Sequence, residues 1–407
     1  MSYPFFIARR YLFARRSANA INIITGISVL GITIGAAALV LVLSVFNGFE
    51  GLIAGMYGYF NPEIKITPRA GKTFRADSAL MARIAALPEI KAVSATLEEI
   101  AFFEYGTAQD FGVLKGVDDQ YVSVTPISQA TLPDSSAFAL RDGERFGAVV
   151  GAGMRYKLGL NVGQPGSWLN VYMPAKTPGA LDKPFRSRLM VPSGLFSIQQ
   201  EVDNQYVLTD VELIRELLEV EADEASALEL RCVSASAIPQ AKKRLREFLG
   251  DEYHIKDRYE QNEALFKVMR LEKWIAFGIV SLMLALLAFN MVGALWMLAL
   301  EKQRDIAVLK SMGATDRGVF KLFVWEGMLL TLLGLFLGLG LALCIYFLQK
   351  RYELVTIPDG FLVSSYPIEL RFADFLPIMA AVLLIGLLAS LLPAWRTLRI
   401  TPVIQEH

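Results

Sequence analysis

The residues best suited to chemistry are few: two His (His254, His407) and two Cys (Cys232, Cys344) in 407 residues. A zinc site needs several N or S ligands held together, and a nucleophile needs a base within hydrogen-bond reach. None of these four lies close to another in sequence, so neither a metal site nor a His-assisted nucleophile is expected. Cys344 falls inside an apolar run and Cys232 in a polar segment outside it, so a disulfide between them is excluded by topology. The tripeptide Gly71–Lys72–Thr73 lacks the leading Gly of a phosphate loop, because Ile66 stands there and Pro68 has no N–H to offer. It is expected to be an exposed loop. The pairs Glu98–Glu99 and Asp118–Asp119 are of acid–base type, but solvated strand ends and turns bear such pairs more often. No catalytic residue, cofactor or metal ligand is assigned.

The densest charge lies elsewhere, in "ALEKQRDIAVLKSMGATDRGVFKL" (Ala299–Leu322), between two segments with almost none. Glu301 to Met312 suits a helix in which Ile306, Leu309 and Met312 or Gly313 form one apolar stripe, with Lys302, Gln303, Arg304 and Lys310 on other faces. Gly313 supplies a stop, and Thr315 or Asp316 a cap for the next helix. The element reads either as an ordinary basic connector or as a rigid handle for a partner. The chain supplies no ATP site.

What must position this stretch is a set of apolar segments. The chain is 54% hydrophobic, and the apolar residues are bunched. Ile23–Phe46, Trp274–Leu300, Phe320–Leu348 and Phe375–Leu392 can each cross a hydrocarbon core of about 30 Å. None has a charge near its centre, where one would cost about 2.5–3.5 kcal/mol. The first run is longer than the roughly 7–15 residues of a signal-peptide core and should stay as an anchor. A coupled carrier keeps ionisable groups at mid-depth; Glu326, a turn or two past Lys321, reads as a helix-end residue near the inner interface. Few polar residues line the spans, so no solute pore is indicated.

Lys and Arg collect on inner flanks. Arg9, Arg10, Arg15, Arg16, the Lys302–Lys321 loop, and Arg396 with Arg399 therefore belong inside. That places two segments outside, Gly48 to Leu271 and Gln349 to Asp374, although Lys350, Arg351 and Arg371 run against the rule. The formal net charge is +0, and nucleic-acid binding is not indicated. The expected order is an inner segment 1–20, span 21–47, outer domain 48–270, span 271–300, inner helix 301–318, span 319–348, outer loop 349–374, span 375–393 and inner tail 394–407.

The outer segment of about 220 residues is an independent unit. "NPEIKITP" alternates like a strand, "ADSALMARIAALPEI" has helical spacing up to a Pro, and "IKAVSATLEEIAFFEYG" with "DFGVLKGV" reads as paired strands. Phe146 to Asp203 is rich in Gly, Pro and Val, with a short helix at "GMRYKLGL". "NQYVLTDVELIRELLEV" and the stretch from Ala227 to Asp257 return to strand and helix. A discontinuous α+β lobe with a β-rich lobe inserted is expected. The first span continues past Phe46 as "NGFEGLIAGMYGYF", either as a rising helix or as a loop at Asn47–Gly48, and the second is preceded by helical spacing in "RYEQNEALFKVMRLEKW". Gly31 with Gly35, and Gly334 with Gly338, are small-xxx-small patterns.

Three segments together resemble a known family. "EKQRDIAVLKSMGAT" and "LPAWRTLRITP" are similar to FtsX-like and MacB-like ABC transporter permeases, and "FIARRYLFARR" followed by "INIITGISVLGITIGAAALVLVLSVFNGFE" is closer still to lipoprotein-releasing permeases of the Lol C/E type. The resemblance implies four transmembrane helices with a large α+β periplasmic domain in the MacB-like architecture, in a multi-pass protein of the cell inner membrane with both termini cytoplasmic. It implies that Glu301, Arg304, Asp305, Leu309, Lys310, Met312 and Gly313 meet a separate cytoplasmic ABC ATPase dimer. A second permease chain, the same or homologous, would pair with this one, and either helix packing or that pairing would use Gly31, Gly35, Gly334 or Gly338. The implied function is ATP-driven release of lipoproteins from the outer leaflet to a periplasmic carrier, with membrane lipid as surroundings. "YMPAKTPGALDKPFRSR" (Tyr172–Arg188) is then either a plain exposed loop or the loop that recruits the carrier through Pro174, Pro178, Pro184, Phe185 and Arg186. Other readings are an FtsX-like mechanotransmitter controlling cell-wall hydrolases, a MacB-like export permease, and a structural or sensory membrane protein.

Overall fold

The computed structural model describes residues 5–8, 10, 19–132, 138–164, 166–174, 185–356 and 365–398. Along the chain, α1 (Asn19–Tyr57) leads into β1 (Ile64–Pro68), α2 (Ser78–Ala85), β2 (Ile90–Tyr105), β3 (Ala108–Val117), β4 (Arg145–Gly151), α3 (Ala152–Leu158), β5 (Leu169–Pro174), β6 (Phe185–Phe196), β7 (Tyr206–Asp210), α4 (Val211–Leu218), β8 (Ala227–Cys232), α5 (Ile238–Leu249) and β9 (Tyr253–Asp257). Then come α6 (Glu263–Glu301), α7 (Gln303–Ser311), α8 (Asp316–Tyr352) and α9 (Phe372–Thr397). Two compact units result, one of Met1–Leu52 with Lys267–His407 and one of Ile53–Phe266.

In the first unit, α1, α6, α8 and α9 are each long and apolar enough to cross a membrane. Ile32, Leu39, Met291, Leu295, Phe323 and Leu330 fill the core between them. The helices approach closely where side chains are smallest. A Cβ on Gly338 would sit 2.6 Å from the Thr33 carbonyl oxygen, and one on Gly334 would sit 2.8 Å from Ile32. Gly35 and Gly31 face Leu284 and Leu287 of α6. All four glycines of the small-xxx-small patterns thus lie at crossings of α1 with α8 or α6 inside one chain. The 39 residues of α1 extend about 58 Å at 1.5 Å per residue, more than the roughly 40–45 Å of a whole bilayer. The helix therefore passes through Asn47–Gly48 without a loop. Glu326, expected near the inner interface, is fully buried in the bundle, next to Gly327, which packs against Ser390 and Leu295.

In the second unit, β1–α2–β2 and β8–α5–β9 make two strand–helix–strand halves. Their strands lie in the order β9-β1-β8-β2, all antiparallel, which is the split-βαβ arrangement. Ile64, Ile66, Ile84, Leu228, Leu230 and Leu245 form its core. Asp77 caps α2 by accepting from the Leu80 N–H, a local signal that starts the helix there.

Everything from β3 to α4 is inserted between these halves. The 16-residue β2 runs out of the first sheet and pairs with β3, and the order continues β3-β7-β4-β6-β5 until β5 pairs back onto β2 at Phe102–Glu104. The six strands close into a ring, with β5 bonded to both β6 and β2. Phe103, Leu114, Val150, Val171, Met190 and Val207 fill the ring.

Candidate functional site

At the Gln303 end of the helical unit, Lys302 leaves helical geometry between α6 and α7. Ile306 is buried and Leu309 packs against the same core, so the stripe fixes α7 to the bundle. Met312 does not join it: at 79% exposure it stands in solvent, because α7 ends at Ser311 and the chain turns there. Gly313 makes that turn with φ +95°, a conformation that favours Gly, and the Ala314 N–H reaches back to the Leu309 carbonyl. The Thr315 hydroxyl then accepts from the Gly318 N–H and caps α8. Lys310 bonds Asp316 at 2.7 Å, tying the end of α7 to the first turn of α8. Glu301, Arg304, Asp305, Val308 and Met312 are left exposed. The result is a short helix, clamped at both ends, with a mixed charged and apolar outer face.

The opposite end of the same unit holds a cluster that the sequence hid. Lys273 on α6 donates to the Asn47 side-chain oxygen of α1 and to Asp374 of α9, each at 2.8 Å, and the Asn47 amide donates to Asp374 at 2.6 Å. Three helices are thereby pinned at one point by polar groups that are only partly exposed. A second pair, Arg371–Glu50 at 2.5 Å, lies beside it, and this accounts for one of the cations that ran against the flank rule. Gly48 lets the 365–371 segment lie on α1, since a Cβ there would be 2.3 Å from the Pro367 carbonyl oxygen.

In the second unit, Lys65, Glu98, Lys115 and Glu229 meet on four adjacent strands. Lys115 lies 2.6 Å from Glu229 and 3.2 Å from Glu98, and Lys65 lies 2.9 Å from Glu98. Lys115 is 1% and Glu229 0% exposed, and the ammonium also stands over the Phe60 and Tyr121 rings. Glu98 is therefore no solvated strand end, as its acidic pairing with Glu99 had suggested. Burial alone would raise its carboxyl, but the Lys65 and Lys115 ammonium groups outweigh that and hold it at about 2. Burial likewise works against the Lys115 charge, and Glu229 and Glu98 overcome it, raising Lys115 well above the ordinary value. Two positive and two negative charges cancel. The cluster is a structural pin, buried at Lys115 and Glu229 and partly exposed at Lys65 and Glu98. Asp118, from the other acidic pair, accepts from the Ser94 hydroxyl and the Ala95 and Gln120 N–H groups, which is turn chemistry.

Of the residues assigned to a carrier loop, Pro174 and Phe185 pair across the base of the β5–β6 hairpin, and Arg186 pairs with Glu219. Pro178 and Pro184 lie outside the described residues. Among the described residues no cluster of His, Cys, Asp and Glu is arranged to hold a metal ion, and Cys232 and Cys344 are both free. Burial pushes the Cys232 thiol up to about 11, away from the reactive thiolate.

Among the described residues the chain has four helices long and apolar enough to cross a membrane, a two-lobed α+β domain between the first and second, and a short helix between the second and third. Residues 25–248 match the MacB-like periplasmic core domain and residues 277–402 the FtsX-like permease C-terminal domain; the first match spans more than half the chain, and the protein belongs to the family of MacB-like and FtsX-like permeases. It is similar to the lipoprotein-releasing system transmembrane protein LolC of Xylella fastidiosa, 25% identical, with 97% of this chain and 96% of that one covered. LolE of Haemophilus influenzae is 26% identical with 100% of each covered, and LolC of Neisseria meningitidis serogroup B is 28% identical with 79% and 76% covered.

Proposed function

We propose that this chain is the permease subunit of an ABC transporter that releases lipoproteins from the outer leaflet of the inner membrane to a periplasmic carrier, driven by a separate cytoplasmic ATPase dimer. The observation that carries this is the end-to-end similarity to proteins of lipoprotein-releasing systems. In this reading α7 is the handle. Glu301, Arg304, Asp305, Leu309, Lys310, Met312 and Gly313 form or support the surface that the ATPase grips, and its exposed mixed face suits a protein contact. A second permease chain completes the assembly, and the base of the β5–β6 hairpin, Pro174, Phe185 and Arg186, lies where a carrier would be recruited.

A Pro in a helix interior costs about 3 kcal/mol, so Val308→Pro should insert normally yet lose ATPase binding and lipoprotein release in reconstituted membranes. A variant that still stimulates and couples ATP hydrolysis would refute the handle. Orientation is tested separately. A Cys placed at Tyr156, 90% exposed on α3, should react with a membrane-impermeant thiol reagent from the periplasmic side, and one at Gln303 should not. The reverse pattern would overturn the topology, and with it the roles of α7 and of the β5–β6 hairpin.

A further inference from the structure

A cavity of about 830 Å³ opens between the Gln303 ends of α6 and α9, and its wall includes Val292, Trp296, Leu300, Leu392, Trp395 and Arg396. Its size falls within the range of about 300–1,000 Å³ typical of small-ligand sites. Along their helices Val292 and Leu392 lie farther from the Gln303 end than Trp296 and Trp395 do. The α9 side of the cavity is open, with Leu392 57% and Trp395 71% exposed, and the Arg396 guanidinium lies 4.1 Å over the Trp296 ring beside Gln303 of α7.

Val292 is nine residues short of the end of α6, about 13 Å along a helix axis, so the inner part of the cavity reaches hydrocarbon depth once these helices cross a bilayer. A soluble protein surface does not extend there; an acyl chain does. Trp rings favour the membrane–water interface, Arg offers a planar fork that matches phosphate oxygens, and basic pockets between transmembrane helices hold anionic lipid head groups. We infer that this cavity binds one anionic phospholipid of the adjoining leaflet, with its phosphate on Arg396 and an acyl chain along Val292 and Leu392. Gln303 places the head group against the first residue of α7, so the bound lipid becomes part of the seat of that helix. This site requires only that the helices lie in a bilayer, and it stands apart from the cargo and the carrier.

The test uses the full chain in phosphatidylcholine vesicles, with Trp168, Trp274 and Trp325 replaced by Phe so that Trp296 and Trp395 report. Phosphatidylglycerol brominated on its acyl chains should quench them with an apparent association about fivefold stronger than brominated phosphatidylcholine, the factor that one cation near an anionic lipid supplies. Arg396→Gln should abolish that preference, whereas Arg317→Gln, a basic residue outside the cavity, should keep it. Val292→Phe, which narrows the cavity away from the Gln303 end and leaves Arg396 in place, should reduce quenching by both lipids. Equal quenching in the unaltered cavity, or a preference that survives Arg396→Gln, overturns the inference. Displacement by free inorganic phosphate would make this a simple anion site, and loss of the preference in the complex with the ATPase would give the cavity to the protein partner; either result overturns it too.

Discussion

Replacing Lys115 by Met should destabilise the outer domain by about 3–5 kcal/mol, the cost of leaving a buried charge without its partner. Lys115 and Glu229 are 1% and 0% exposed and 2.6 Å apart. Without the ammonium, Glu229 keeps the Thr96 hydroxyl at 3.3 Å and the distant Lys65 at 3.9 Å, and the neutral set of four charges becomes a net anion with Glu229 fully buried. The double variant Lys115→Met, Glu229→Leu should recover much of the loss, because two charges and their desolvation leave together. Urea titration of the full chain, read by proteolytic susceptibility of the 53–266 unit, measures both. A single variant as stable as the double would refute the pin. Acid should act on the same cluster. Glu98 is held at about 2 against an ordinary 4.5, so its contribution is complete above about pH 4.5 and drains away as pH falls through 2; Glu98→Gln should flatten that part of the acid profile.

This cluster also marks where the sequence stops being legible. The four apolar runs, the Gly313 stop, the Thr315 cap and the strand–helix–strand halves are written locally, in periodicity over a few residues. The pairing of Lys115 with Glu229 joins positions 114 apart. Lys115 shares its strand face with Val113 and Val117, and its charge is covered there by Phe60 and Tyr121, which nothing in the local pattern announces. The closing of the ring by β5 onto β2 is hidden for the same reason, since nothing near Tyr172 names Phe102 as its partner. Lys273, Asn47 and Asp374 each look like an ordinary helix-end residue. Only the convergence of α1, α6 and α9 makes them one site, and that convergence is set by small residues spread over the helices.

The largest functional effect is expected from a flexible Gly-Ser insertion after Gln261. The chain leaves β9 through a short helix whose Asp257 and Glu260 cap each other, passes Asn262, and enters α6, which then runs unbroken from Glu263 to Glu301. Only Lys302 separates α6 from α7, so under the proposed function a displacement of α7 would pass along a single rod. Near its domain end the rod is fastened to α1 and α9 by the Lys273, Asn47 and Asp374 contacts, which keeps the three helices from sliding past one another. An insertion between Gln261 and Glu263 leaves the handle, the rod and the pin intact and softens only the step into the domain. ATP hydrolysis in reconstituted membranes should therefore stay near normal, while transfer of lipoprotein to a soluble carrier is lost. The same insertion should leave the urea midpoint of the 53–266 unit unchanged, which separates a lost connection from a damaged domain. Normal transfer by the inserted chain would mean that movement reaches the domain along α1 alone. In that case Asn47→Leu, which removes the α1 side of the pin, should become the more damaging change.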